Sequence, residues 1–118
     1  MSKVYFYEED VQLADNQEVI VRVELPGAGT ICQTIVTIQG DGLIKIKDEG
    51  LAIIGDSTKL KNKMLYITSN PSNLAAEVTK IRENIFVNDK LIIQHQNDKA
   101  EEKDPQLDIE ITIKASTS

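Results

Sequence analysis

Cysteine, histidine and aromatic side chains are scarce in this chain, which has one Cys, one His, three Tyr, two Phe and no Trp among 118 residues. Each scarcity removes a class of function. A lone Cys32 cannot close an internal disulfide, and inside the strand-like run TICQTIVTIQ it reads as a small apolar filler rather than a nucleophile. A lone His95 leaves a zinc shell to be completed by carboxylates, an unusual set for a structural site. With five aromatics, few flat rings are offered to bases or sugars. No apolar run reaches the roughly 18 residues that would cross a bilayer. The opening MSKVYFYEED places acids where a secretory signal carries its apolar stretch, so a cytoplasmic protein is expected.

Basic residues are also the minority. Thirteen Lys and Arg against nineteen Asp and Glu leave a net charge of −6, and the mean field repels phosphate backbones and anionic lipid. Nucleic acid and membrane are therefore poor partners.

What the chain has in quantity is β-branched residues at period two, the pattern of strands with one wet face. Leu107, Ile109, Ile111 and Ile113 share one face, with Asp108, Glu110, Thr112 and Lys114 on the other. Val19, Val21, Val23 and Leu25 repeat the pattern. Between these segments, short apolar runs are punctuated by Gly40-Asp41-Gly42, Asp48-Glu49-Gly50 and Gly55-Asp56-Ser57, residues that tolerate the positive φ of tight turns, and they read as an antiparallel meander. Met64 to Thr68 alternates again, and Asn88-Asp89 between IFV and LIIQ suits a two-residue hairpin. The spacing predicts a mainly β chain, an antiparallel β-sandwich or partly open β-barrel forming a single domain over residues 1–118. One short helix is expected over residues 73–83, where Leu74, Val78, Ile81 and Ile85 fall at helical spacing behind Ser72 or Asn73 as N-cap; a further strand is the alternative. Residues 97–106 read as a charged mobile loop and 115–118 as a frayed tail.

Tests for chemistry mostly return ordinary readings. His95, in LIIQHQ, has no flanking motif to orient it as a base and reads as a partly packed strand-end residue. Pro26-Gly27-Ala28-Gly29 lacks the Lys-Ser/Thr and following helix of a phosphate cradle and reads as a turn. The runs Glu8-Glu9-Asp10 and Glu101-Glu102 read as solvated charge and as a patch for a basic partner. No catalytic residue, cofactor site or metal site is assigned.

Two features point to binding. Tyr5, Phe6 and Tyr7 lie side by side, so a strand there must send rings to both faces, and an exposed ring is a candidate contact for another chain. Open sheet edges also offer unpaired backbone groups, and Lys45, Lys47, Lys61 and Lys63 read as edge guards or plain surface lysines. The function expected is a non-enzymatic β domain acting by protein–protein contact, as an assembly subunit or accessory protein, with itself or another chain as partner. The alternative is a ligand-binding sandwich that takes a small apolar molecule, or Ca²⁺ at Asp41 and Asp56 if the meander brings those turns to one end.

Overall fold

A computed structural model describes residues 3–116 of the chain. Nine strands are formed: β1 (Val4–Ala14), β2 (Glu18–Glu24), β3 (Thr30–Ile38), β4 (Leu43–Lys47), β5 (Gly50–Asp56), β6 (Met64–Asn73), β7 (Lys80–Val87), β8 (Lys90–Asp98) and β9 (Gln106–Ser116). They build a five-stranded sheet in the order β1-β9-β6-β3-β4 and a four-stranded sheet in the order β5-β2-β7-β8. The two pack face to face as a sandwich, with no closed barrel.

The alternating pattern explains the layers. Leu107, Ile109, Ile111 and Ile113 of β9 are buried together with Val19, Val21 and Val23 of β2, and the same core takes Leu65, Ile67, Ile85 and Ile93. Branched aliphatic residues suit this space because they fill a pleated surface with few rotamers to lose. Asn88 and Asp89 both take positive φ (48° and 65°) at the β7–β8 hairpin, as a mirror-image turn between twisted strands requires.

Four expectations are corrected. No helix occurs among the described residues: 74–79 is a connection, and 80–87 is a strand flanked by β2 and β8. Leu74 is 72% exposed, whereas Ile81 and Ile85 are buried two pleats apart, a spacing that a strand satisfies as well as a helix. Asn73 does not cap a helix; its Oδ1 accepts the Ala75 N–H (2.9 Å) while Nδ2 donates to Ala28 O and Thr30 Oγ1. The meander is also interrupted. β3 and β4 pair as a hairpin, but at Asp48-Glu49 the chain crosses to the other sheet, where β5 pairs with β2. Asp48 makes that crossing at φ 55°, its Oδ1 accepting the Cys32 N–H, while Glu49 accepts the Leu25 N–H.

The sheets are antiparallel except along one seam, where β1 lies parallel to β9 over eleven residue pairs, Val4 opposite Gln106 to Ala14 opposite Ser116. Third, the same pairing revises the frayed tail, since Ala115 is buried opposite Leu13; residues 117–118 lie outside the described region. Fourth, the charged loop spans residues 99–105 and is tethered, with Asn97 Nδ2 donating to Asp98 O and Glu102 O.

Candidate functional site

The pleat divides the aromatic triplet of β1. Tyr5 and Tyr7 turn inward and set their rings edge-on to His95, with centroids 4.7 and 5.9 Å away. His95 is buried, and both of its nitrogens are occupied: Nδ1 lies 2.6 Å from Tyr7 Oη and Nε2 lies 2.7 Å from Asn97 Oδ1. Because the Asn97 amide nitrogen is committed to two carbonyls, its oxygen faces the ring. The proton therefore sits on Nε2, and Tyr7 donates to Nδ1. Burial holds the imidazole below its ordinary pKa, which keeps it neutral. Tyr5 Oη donates to Glu101 (2.7 Å), which also takes Lys3 Nζ at 2.6 Å, so this acid is paired. Sealed and fully bonded, His95 is a structural residue of the inner layer.

A second buried polar group has no counterpart in the sequence reading. Glu83 is 0% exposed, on the inner face of β7 between Ile81 and Ile85. Ser69 Oγ lies 2.8 and 2.7 Å from its two oxygens, Thr34 Oγ1 lies 2.9 Å from Ser69, and Cys32 Sγ lies 2.9 Å from Ser69 and 3.5 Å from Glu83. No ion pair reaches the carboxyl among the described residues. Desolvation pushes its pKa up to about 7, against the opposing hydrogen bonds from Ser69 and Cys32. Burial and the neighbouring Glu83 push the Cys32 thiol up to about 12, so it remains a thiol at neutral pH. This cluster joins the two sheets, with Glu83 on β7 facing Cys32 and Thr34 of β3 and Ser69 of β6.

The turn acids are used locally. Asp41 accepts the Gly42 N–H, and Asp56 accepts the Thr58 N–H. Asp41 closes the β3–β4 hairpin of one sheet and Asp56 ends β5 of the other, so the meander that was to bring them together is absent. No group of three or more His, Cys, Asp or Glu among the described residues is arranged to hold a metal ion. The glycine loop is a turn, as its residues suggest: Gly27 and Gly29 adopt φ of 90° and 82°, and a Cβ at Gly29 would lie 2.8 Å from that of Ala75.

Both outer faces are open to solvent: that of the four-stranded sheet exposes Leu51, Ile53 and Leu91, and that of the five-stranded sheet carries the exposed aromatic residues. Phe6, the one outward ring of the triplet, is 77% exposed, and Tyr66 of β6 is 41% exposed. Between them lie the acids of β1 and β9. Phe6 sits opposite Asp108, and Glu8 sits opposite Glu110, which in turn faces Tyr66. These five side chains line an open groove of about 550 Å³. Across β3 the character changes. A second groove of about 600 Å³ is lined by residues of β3, β4 and β6, among them Ile31, Cys32, Gln33, Lys45 and Lys47, and by Asp48 just after β4. Lys45 and Lys47 project from edge strand β4, while Lys61 and Lys63 belong to the turn before β6. The sequence showed Asp108 and Glu110 on a polar face but gave no sign that Phe6 and Tyr66 would flank them, because that depends on strand order.

Fold and face together define an all-β two-sheet sandwich with a charged aromatic groove on one outer surface. No family model matches the chain, and no curated protein or solved structure matches it either.

Proposed function

We propose that this protein is a non-enzymatic β-sandwich module that works by protein contact, through the outer face formed by β1, β9 and β6. The observation that carries the reading is the groove itself: an exposed Phe6 and Tyr66 enclosing Glu8, Asp108 and Glu110. Aromatic side chains at a surface give large contact area at little entropic cost, and they concentrate at interfaces. Glu8 directly opposite Glu110 places like charges side by side, an arrangement that costs stability within the free sheet and is relieved by a basic partner. The buried carboxyl of Glu83 and imidazole of His95 are sealed at 0% and 1% exposure, which argues for binding over catalysis. No helix among the described residues is long and apolar enough to cross a membrane. A reducing, cytoplasmic setting is part of the same proposal and accords with the lone buried thiol of Cys32.

The test is a backbone amide shift titration of the purified protein with an oligolysine peptide. Shifts are expected at Phe6, Glu8, Tyr66, Asp108 and Glu110, and they should vanish in Glu110→Lys. A titration that leaves this face unmoved, or moves it equally in the variant, would refute the reading.

A further inference from the structure

The outer face of the five-stranded sheet is electrically divided. Glu8 and Asp10 on β1, with Asp108 and Glu110 on β9, occupy one side; Lys45 and Lys47 on β4 occupy the other, with β6 and β3 between. Lys114 answers Asp10 at 3.3 Å, which leaves Glu8, Asp108, Glu110, Lys45 and Lys47 without an ion pair among the described residues. The exposed apolar side chains Ile31, Leu43 and Tyr66 lie on this same face as Phe6.

Accepting the protein-contact reading above, we propose that the partner on this face is a second copy of the chain, packed sheet to sheet about a two-fold axis that runs along β6. Strand order supplies the reason. One row across the sheet reads Phe6, Asp108, Thr68, Ile35, Lys45, with the β6 residue at its centre. A two-fold lying in the interface along β6 turns this row onto itself, so Lys45 of each copy meets Phe6 and Asp108 of the other. The neighbouring row, Glu8, Glu110, Tyr66, Thr37, Leu43, places Tyr66 beside the axis and against its own symmetry mate. Lysine then contributes both its charge and its apolar stem against the Phe6 ring. Stacked sheets pack with strands within about 30° of each other, which such an axis permits. The available area also suffices. Five strands at about 4.8 Å spacing and about 30 Å length cover about 700 Å² per copy, close to the roughly 800 Å² of a standard interface. The acidic half alone would suit any basic partner; Lys45 at the opposite edge, in the same row as Phe6 and Asp108, is what selects a second copy.

The experiment is sedimentation equilibrium of the full chain up to about 1 mM, with two charge reversals. The native protein is expected to form a dimer of twice 13.1 kDa that weakens with salt. Lys45→Glu and Asp108→Lys should each weaken dimerisation about tenfold or more, because each creates two like-charge contacts across the axis. An equimolar mixture of the two variants should restore association, since every contact in that heterodimer is again opposite in sign. That rescue separates a contact between chains from damage to the fold. A protein that stays monomeric to about 1 mM overturns the dimer, while shifts with oligolysine on the same face would still uphold protein contact. A dimer indifferent to both reversals but dissociated by Ile53→Asp, on the outer face of the other sheet, equally overturns it.

Discussion

Glu83 makes the stability of this sandwich depend on pH in the direction opposite to most carboxylates. An acid that is ion-paired in the folded state stabilises it as pH rises. Glu83 is buried with hydroxyl and thiol neighbours, and its pKa is lifted from an ordinary 4.5 to about 7. Below about pH 4.5 the group is neutral whether the chain is folded or not, and it imposes no cost. As pH rises, the unfolded chain releases the proton first, so folding becomes less favourable by about 1.4 kcal/mol per pH unit. The loss accumulates up to the folded-state value and levels off above it, reaching about 3 kcal/mol. Against the 5–15 kcal/mol of a typical domain that is a large fraction. Glu83→Gln keeps the volume and supplies an N–H to Ser69 in place of the acid proton, but it cannot ionise. Urea unfolding of both proteins by far-ultraviolet circular dichroism, at fixed ionic strength from about pH 4 to about pH 8, isolates the group because the other carboxylates cancel in the difference. The variant should gain about 3 kcal/mol on the native protein across that range. A difference that stays constant with pH would show that Glu83 ionises equally easily folded and unfolded, and would refute the account of a desolvated carboxyl without a cation.

The other inner groups yield two further tests. Tyr7→Phe removes the donor to His95 Nδ1 and leaves a buried ring nitrogen unsatisfied, so it should cost about 1–3 kcal/mol in urea unfolding; a neutral substitution would mean that the contact contributes nothing. Cys32 should resist an aromatic disulfide reagent in the native protein at pH 7 and react at once in denaturant, since the thiol is buried and held well above its ordinary pKa. Rapid native labelling would contradict the sealed cluster.

Much of the architecture is visible in single residues. The alternation of Leu107, Ile109, Ile111 and Ile113 against Asp108, Glu110 and Thr112 reports both faces of β9, and Asn88-Asp89 marks the β7–β8 hairpin. The failure over 73–83 has a specific cause. Ile81 and Ile85 are four apart, which fits one helical turn or two pleats, and Glu83 between them argues against a buried strand face when read alone. The residue that disguised the strand is the one that makes the stability of the sandwich depend on pH. Strand order was hidden for a different reason: β1 finds β9 about a hundred positions away, and no local preference encodes a partner at that distance. The groove inherits the same obscurity, since Phe6, Tyr66 and Asp108 become neighbours only through the β1–β9 and β6–β9 pairings, whereas the exposure of one ring in Tyr5-Phe6-Tyr7 follows from the pleat alone.

The parallel seam between the first and last strands also sets how the molecule bears tension. With β1 and β9 running the same way, Val4 and Ser116 lie at opposite ends of one eleven-pair ladder, along a body 48 Å in its longest dimension. A pull applied through those two residues slides the strands past each other, so the hydrogen bonds of the seam are loaded together rather than opened one after another. The chain is thus stiff to a force passed from end to end, while β4, held by a five-residue pairing at the opposite edge, peels away under far less.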